Sequence, residues 1–255
     1  MMRVLLSNDD GVLAPGLAAL EEALRDLAEV TVVAPETECS GLSSALTLHQ
    51  PLRVTRLDNG FYAVAGTPAD CVHLALNGFL DFEPDLVISG INAGANLGDD
   101  VIYSGTVAAA LEGRFLGKPA MAISLCGGHA REYGRAGFSA AAEWTRRLLC
   151  NEAFRALPER SILNVNVPDL PLTEIRGVRA TRCGHRQRSQ DVRTMQDPRG
   201  RKAYWIGIAG DPADAGPGTD FHAIAESFVS VTPLQTDMTV HAALPQLAHC
   251  LEQGE

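Results

Sequence analysis

The sequence predicts an α/β fold in which a mostly parallel sheet is covered by helices on both faces. Short apolar runs alternate with segments of helical periodicity over the first two-thirds of the 255 residues, which is the pattern of successive strand and helix units. The runs are continuously apolar, as expected for strands buried on both faces. Hydrophobic residues make up 46% of the chain, enough for a substantial core. At about 150 residues per domain, the length allows one large domain or two small ones.

Each element of this alternation is predicted from its own local pattern. In chain order we predict a strand at 4–6, a helix at 17–27, a strand at 30–34, a hairpin of 52–57 and 61–65, a helix at 68–76, a strand at 86–89, a helix at 107–116, a strand at 120–125, a helix at 136–149 and a strand at 162–167. Asn59-Gly60 is a strong hairpin signal, since both residues accept positive φ. Thr67 and Pro68 are typical of an N-cap and a first helical residue. Gly117 is expected to end the helix before it.

The pattern changes after Pro168. Residues 176–218 are rich in Arg, Gly, Asp and Pro and contain only brief apolar pieces, so we predict hairpins or an excursion from the core. A strand at 228–231 and a terminal helix at 242–251 follow. Between Arg176 and Lys202 there are nine basic and two acidic residues, a local charge of +7. This segment is interpreted as a solvated or subunit-contacting surface in preference to a groove for polyanions.

Net charge and cysteine content exclude several classes of protein. The formal net charge is −10, so no stable nucleic-acid complex is expected, because phosphate contacts require local Lys and Arg. The six cysteines lack metal-binding spacing, which favours isolated reduced thiols. No apolar run approaches the roughly 18 residues of a membrane span, and the opening MMRVLLSNDD does not resemble a signal peptide. We therefore expect a cytoplasmic protein with no membrane partner.

Three polar loops each follow a predicted strand, where ligands bind in an open α/β sheet. The first loop, SNDDG at 7–11, places Asp9 beside Asp10. Adjacent carboxylates repel each other unless a positive charge lies between them, and a hard divalent cation is the usual one. Taken alone, however, the pair is better interpreted as an Asx-rich turn that caps the following helix.

The second loop has the sequence ECSGLSS at 38–44. Its hydroxyl groups are candidates to ligate a metal or hold a phosphate, and Gly41 would allow close approach of the backbone. Ser40 is a weak candidate for a triad nucleophile, because the G-x-S-x-G elbow is missing. Taken alone, this loop is better interpreted as an ordinary polar turn.

The third loop, SGINAGANLGDD at 89–100, leads into Tyr103, Ser104, Gly105 and Thr106 at a helix start. The helix start would present unpaired N–H groups to an anion such as phosphate. A capped glycine-rich loop explains the Ser/Thr cap, but it does not explain three glycines and two asparagines packed together. Aromatic residues are only 5% of the chain, and Tyr103 is the candidate for stacking on a nucleobase.

Other phosphate-handling motifs are absent. The chain has no G-x-x-x-x-G-K-[ST] P-loop, and its first turn lacks the G-x-G-x-x-G dinucleotide fingerprint. Aspartyl-phosphate phosphatases carry two Asp separated by one residue, whereas Asp9 and Asp10 are adjacent. A phosphoreceiver domain needs an acceptor Asp at the end of a later strand, where this chain offers Asn92.

Five motifs, in order along nearly the whole chain, carry a resemblance to a known family. They are SNDDG at 7–11, APExxxSGLSSALTL at 34–48, GTPADCV at 66–72, SGINAGANLGDDVIYSGTVAAALEG at 89–113 and DAGPGTDF at 214–221. Together they resemble the SurE family of stationary-phase survival proteins, metal-dependent 5′/3′-nucleotidases. The resemblance implies one domain over 1–255 with a Rossmann-like core. It also implies a protruding C-terminal β-hairpin and tail, about 176–225, that assembles a dimer or tetramer.

The resemblance also implies an activity and the residues that perform it. The implied catalytic and metal-binding residues are Asp9, Asp10, Ser40 and Asn92, and the implied phosphate-binding residues are Asn96, Ser104, Gly105 and Thr106. The metal ligands supply only oxygen, so one Mg²⁺ or Mn²⁺ per subunit is expected rather than zinc. The implied reaction hydrolyses nucleoside 5′- and 3′-monophosphates to nucleoside and phosphate with a metal-activated water. Polyphosphate is an optional further substrate, cleaved by an exopolyphosphatase activity.

An interpretation as a protein of a different class remains open at this point. A non-enzymatic nucleotide-binding or receiver-like signalling module would share the acidic pair and the anion-ready helix start. The missing acceptor Asp counts against this interpretation.

Overall fold

The structure, a computed structural model, describes residues 1–116, 120–128, 132–151 and 157–252. The strands are β1 (Met2–Ser7), β2 (Ala28–Pro35), β3 (Val54–Arg56), β4 (Tyr62–Val64), β5 (Leu86–Asn92), β6 (Ala120–Cys126), β7 (Ser161–Pro168), β8 (Val178–Ala180), β9 (His185–Arg186), β10 (Arg193–Gln196), β11 (Lys202–Trp205), β12 (Pro212–Asp214) and β13 (Val229–Gln235). The α-helices are α1 (Pro15–Leu24), α2 (Pro68–Leu74), α3 (Gly105–Glu112), α4 (Ser139–Leu149), α5 (Asp220–Ala225) and α6 (Leu244–Glu252).

The central sheet runs in the order β3-β4-β2-β1-β5-β6-β7-β13-β8. Every neighbouring pair from β4 to β7 is parallel. The β3–β4 pair is antiparallel, as is the β7–β13 pair, and β8 pairs with β13 in parallel. This topology confirms the predicted α/β class. It also brings the carboxyl ends of β1, β2 and β5 to one edge of the sheet.

Helices cover both faces of the sheet, and each face buries its own apolar cluster. Along β1, Val4 and Leu6 belong to one cluster and Leu5 to the other, because successive side chains of a strand alternate between faces. The first cluster takes in α1 and α4, and the second takes in α2 and α3. Leu5 and Leu6 are fully buried, and each such side chain contributes roughly 1.5–3 kcal/mol relative to exposure.

Most predicted elements are confirmed with shifted ends. The Asn59-Gly60 hairpin forms between β3 and β4. Thr67 caps α2 by accepting a hydrogen bond from Asp70 N, and Pro68 is the first helical residue. The helix predicted through 27 ends at Leu24, so that its last apolar position lies beyond α1.

Two predicted helices are each divided into an α-helix and a 3₁₀ turn. The helix predicted at 107–116 is α3 followed by a turn at Gly113–Leu116. Gly117, predicted to end this helix, lies outside the described residues. The helix predicted at 136–149 is a turn at Gly134–Phe138 followed by α4.

The segment after Pro168 departs from the core only in part. β8 joins the central sheet at its edge, so the first strand of the predicted excursion belongs to the core. Two small antiparallel pairs then follow, β9 with β12 and the hairpin of β10 and β11. We call residues 185–214 the arm. The predicted strand at 228–231 and the terminal helix are confirmed as β13 and α6.

All six cysteines are free. Within the described ranges, no helix has both the length and the apolar character needed to cross a membrane.

Candidate functional site

The two carboxylates after β1 join the first loop to the third. Asp9 is 4% exposed, and its Oδ1 accepts a hydrogen bond of 2.5 Å from Thr106 Oγ1 on α3. Asp10 Oδ2 accepts a 3.0 Å hydrogen bond from the backbone N–H of Ala93, just after β5. The acidic pair therefore contacts both the helix start and the Asn92 turn that the sequence singled out.

Burial and like charge make the Asp9 carboxylate unfavourable in its ionised form. Burial raises the pKa of Asp9, the hydrogen bond from Thr106 lowers it, and the negative charge of Asp10 raises it further; the balance is a raised pKa. Taking a carboxylate out of water disfavours its charge unless a partner compensates. A cation between the two carboxylates would supply that compensation.

Gly105 is required by close packing and not by backbone conformation. A Cβ at this position would lie 2.8 Å from Asp9 Cβ, 2.9 Å from Asp9 Oδ2 and 3.1 Å from Pro68 Cγ. The absence of a side chain thus allows the first turn of α3 to rest directly on the Asp9 carboxylate.

The hydroxyl groups of the helix start already have partners within the protein. Ser104 is the N-cap of α3, and its Oγ accepts a hydrogen bond from Val107 N at 3.0 Å. Thr106 donates its hydroxyl proton to Asp9. What this turn can offer an anion is therefore backbone N–H and not hydroxyl: Ser104 already takes up the N–H of Val107, and the N–H groups before it have no acceptor within the helix.

The second loop lies against the first through its backbone. Cys39 N donates to the carbonyl oxygen of Asp9 at 2.8 Å, which joins the backbone next to Ser40 to the backbone of the acidic pair. The Ser40 hydroxyl donates to Glu38 Oε1 at 3.1 Å. Ser43 Oγ donates to the carbonyl of Ile102 at 2.6 Å, so that this loop also touches the third one.

Asn92 ends β5 with its amide group partly engaged. Its Nδ2 donates to the carbonyl of Gly94 at 2.9 Å. None of the described residues donates a hydrogen bond to its Oδ1, and this oxygen belongs to the ligand class that hard cations prefer.

Asn96 is held inside the protein by the sheet beneath it. Its Nδ2 donates to Ser124 Oγ at 2.7 Å, and its backbone N donates to Asn166 Oδ1 at 2.9 Å. Its carbonyl accepts from both Asn164 and Asn166. The side-chain nitrogen predicted to contact phosphate thus has a buried partner on β6.

Sequence reasoning missed the three strand residues that support this loop. Ser124, Asn164 and Asn166 are fully buried polar residues of β6 and β7. Their signal was present in SILNVNVP at 161–168, where two asparagines spaced by two share one face of an otherwise apolar strand. Buried amides need partners, so this spacing indicates a polar element above the sheet.

The donor chemistry of this edge fits a hard divalent cation. The predicted ligands offer two carboxylates, one amide oxygen and one hydroxyl, all of them oxygens. Among the described residues, no three His, Cys, Asp or Glu side chains are grouped to hold a metal. A cation here would consequently depend on Asn92 and Ser40 as well as on the acidic pair.

Polar atoms without partners lie directly behind these loops. Ser7 Oγ, Asn8 Oδ1 and Ser89 Oγ are buried, and the described part of the chain supplies them no hydrogen-bond partner. Ser7, the last residue of β1, is the register partner of Ser89 within β5. Buried polar groups are normally satisfied, so these three atoms are exceptions among the described residues.

The fold and these clustered oxygen donors define an α/β protein with a polar site at the carboxyl edge of its sheet. Residues 4–190 match the family described as Survival protein SurE, and the chain belongs to that family. The 5′-nucleotidase SurE of Methylococcus capsulatus is 60% identical over 246 residues, 96% of each chain. That of Nitrosococcus oceani is 57% identical over 252 residues, 99% of this chain and 98% of its own. The crystal structure of the SurE protein from Aquifex aeolicus is 42% identical, with a TM-score of 0.83, and the match covers 97% of this chain and 99% of that one.

Proposed function

We propose that this protein is a phosphoric monoester hydrolase, a divalent-metal-dependent phosphatase that converts nucleoside 5′-monophosphates to nucleoside and phosphate. The observation that carries the proposal is the contact of the buried Asp9 carboxylate with Thr106 at the start of α3. Carboxylate oxygens, the class of ligand that hard cations prefer, and the first-turn N–H groups of a helix lie close together here, which supports the proposal. Relatives at 56–60% identity are named 5′-nucleotidase SurE, which supports the same activity here.

One group of residues in the site would bind the cation, and another would bind the phosphate. Asp9, Asp10, Asn92 and Ser40 would hold one Mg²⁺ or Mn²⁺ per subunit, which when bound polarises a phosphoryl oxygen and lowers the pKa of water. The N–H groups of the α3 start would bind the phosphoryl oxygens in the bound substrate and during transfer alike. Thr106 and Gly105 orient the Asp9 carboxylate, through a hydrogen bond and through close packing respectively.

The proposal extends to hydrolysis of nucleoside 3′-monophosphates and of terminal phosphates of polyphosphate. A site that holds the phosphoryl group by backbone N–H groups does not depend on which sugar oxygen leaves. We also propose a cytoplasmic location, in keeping with six cysteines that form no disulfide.

The test is Asp10→Asn, assayed for phosphate release from a nucleoside monophosphate panel in Mg²⁺ and in Mn²⁺. We expect turnover to fall at least 10²-fold, because the variant loses one anionic cation ligand. Asp26→Asn is the control, since Asp26 is an exposed carboxylate paired with Arg146 on the surface, and it should retain full activity.

Chelation provides the second arm of this test. EDTA should abolish wild-type activity, and added Mg²⁺ or Mn²⁺ should restore it. Full activity in EDTA contradicts the metal requirement. Nucleotide binding by calorimetry without turnover in either metal would favour the non-enzymatic binding module instead.

We further propose that the arm and the C-terminal helix mediate self-association as a dimer or tetramer. The arm exposes a set of large apolar side chains, Val192, Met195, Tyr204, Trp205, Ile206 and Ile208. On α6, Leu244, Leu247 and Leu251 are 48%, 55% and 66% exposed, and their spacing puts them on one face. Exposed apolar stripes of this kind mark interaction surfaces.

Ion pairs within the chain support this interpretation of the basic segment. Arg182 pairs with Asp214, Arg186 with Asp100 and Arg201 with Asp197. These guanidinium groups are neutralised by the protein itself, which favours a structural surface over a groove for polyanions.

A further inference from the structure

Asp220 is a fully buried carboxylate that contacts the third loop. It is 0% exposed at the first position of α5. Its Oδ2 accepts a 2.7 Å hydrogen bond from Gly98 N in the third loop. Its Oδ1 accepts from Gly184 N, at the base of the arm, and from Phe221 N, both at 2.9 Å. One side chain therefore connects the third loop to the base of the arm.

Packing around Asp220 leaves this loop little room to move. A Cβ on Gly98 would lie 2.6 Å from the Phe221 ring, and a Cβ on Gly184 would lie equally close to it. The ring thus fills the space between the two backbones whose N–H groups Asp220 binds. Asp220 N also donates to the carbonyl of Arg182 at 3.0 Å.

A second layer of contacts on the outside repeats the same connection. Asp99 accepts hydrogen bonds from Arg186 N at 2.8 Å and contacts His185 Nδ1 at 3.0 Å. Asp100 pairs with the Arg186 guanidinium at 2.7 Å, and that guanidinium lies over the Phe221 ring. Residues 98–100 are consequently held by the arm on one side and by α5 on the other.

We infer that Asp220 is a positioning residue of the phosphate site: through Gly98 it fixes where the turn at 98–102 begins and so where the first turn of α3, which follows it, presents its N–H groups. The inference rests on the proposed phosphatase function. Gly98 lies between Asn96, which is anchored to β6 and β7, and Ser104, the cap of α3. The bond to Asp220 is the buried fixed point of the loop between these two residues, and the contacts of Asp99 and Asp100 with Arg186 reinforce it from outside.

The test is Asp220→Asn, which keeps the shape of the side chain. An amide in either orientation turns one acceptor into a donor, so it cannot accept from Gly98 N and Gly184 N together. Because the N–H groups of α3 bind the phosphoryl group in both the ground state and the transition state, their displacement should raise KM. We expect KM for a nucleoside monophosphate and the inhibition constant of inorganic phosphate to rise about tenfold or more together, with kcat within threefold.

A purely structural role of Asp220 predicts a different pattern of change in kcat and KM. Loss of folded protein lowers kcat and leaves KM and phosphate inhibition unchanged, and that result, or wild-type kinetics, would overturn the inference. Asp197→Asn is the matched control, since Asp197 also accepts backbone N–H bonds, from Arg199 and Arg201 at the tip of the arm. Asp197→Asn should leave KM and the inhibition constant of inorganic phosphate within twofold of wild type.

A second variant decides the matter if Asp220→Asn does not fold. Arg186→Gln removes the outer contact with Asp100 from a partly exposed position, and KM should rise two- to fivefold with kcat retained. An unchanged KM in Arg186→Gln would then overturn the inference. Wild-type protein without nucleotidase activity in Mg²⁺ or Mn²⁺ would instead contradict the proposed function, so the two failures are distinguishable.

Discussion

At the scale of single residues, the site depends on how closely a backbone can approach a carboxylate. Gly105 has no Cβ, and the space that a Cβ would occupy is taken by Asp9 and Pro68. Thr106, the next residue, donates its hydroxyl to the same carboxylate. Asp9 is therefore fixed by two consecutive residues of α3, one through its small size and the other through a hydrogen bond.

Gly105→Ala should lower kcat/KM on nucleoside monophosphates about 10²-fold, the cost of a displacement of roughly 1 Å in an active site. The added methyl group would lie 2.8 Å from Asp9 Cβ and 2.9 Å from Asp9 Oδ2, so the carboxylate must shift. Steady-state kinetics measure the loss, and circular dichroism checks that the fold is retained.

Gly216→Ala is the control for this substitution. A Cβ on Gly216 meets no atom within 4 Å among the described residues, and wild-type kinetics are expected. Wild-type kinetics for Gly105→Ala would contradict the role assigned to the close contact.

At the scale of elements, the start of α2 connects the second loop to the core. Asp70 completes a capping box with Thr67, accepting from Thr67 N at 2.9 Å. It also accepts from Thr47 N at 2.8 Å and Thr47 Oγ1 at 2.6 Å. Burial raises the pKa of Asp70, but the hydrogen bonds from Thr47 and Thr67 outweigh it, and the net pKa is lowered.

Asp70→Asn should lower the free energy of unfolding by about 1–3 kcal/mol at pH 7, the cost of leaving buried donors without an acceptor. A carboxyl whose pKa is depressed by folding stabilises the protein above its unfolded pKa of about 3.8, and that contribution is lost as pH falls through the folded pKa. Urea denaturation should be measured at pH 7 and at decreasing pH below 4. The difference in free energy of unfolding between wild type and variant should become smaller as the pH falls.

Asp58→Asn serves as the control, because Asp58 lies exposed in the hairpin turn between β3 and β4. Its stability should match wild type within about 0.5 kcal/mol, as is usual for surface substitutions. If the loss of unfolding free energy in Asp70→Asn stays constant with pH, the ionised carboxylate is not its source.

At the scale of the whole molecule, charge and apolar surface are distributed unevenly. The net charge of −10 coexists with the basic segment at 176–202, in which Arg182, Arg186 and Arg201 pair with Asp214, Asp100 and Asp197. The apolar surface of the arm and of α6 stays exposed. Association of copies through these surfaces would bury it.

Leu247→Glu should weaken self-association by placing a charge in the centre of the exposed stripe on α6. Light scattering coupled to size exclusion, across a dilution series, should show a lower mass than wild type. Gln246→Glu adds the same charge one position away, outside the Leu244, Leu247 and Leu251 stripe, and should assemble as wild type. Equal masses for all three proteins would contradict the assignment of α6 to the interface.

Local patterns in the sequence predicted the elements well because the forces that start and end them are local. Thr67 and Pro68 cap α2 within a few residues of each other, and Asn59-Gly60 turns a hairpin between adjacent strands. Predictions failed where a distant partner decided the outcome. β8 lies in a segment without a strong strand signal, and it exists because β13 offers its edge.

The sequence by itself determined the α/β class, the order of its elements and the polar loops at the carboxyl ends of the strands, because periodicity, capping and turn chemistry act between neighbours. Only the tertiary structure decided which atoms meet. Asn166 reaches Asn96 across 70 residues, and Asp220 reaches Gly98 across 122. Such contacts depend on the packing of buried polar groups that must all find partners at once, and one-dimensional spacing does not encode that condition.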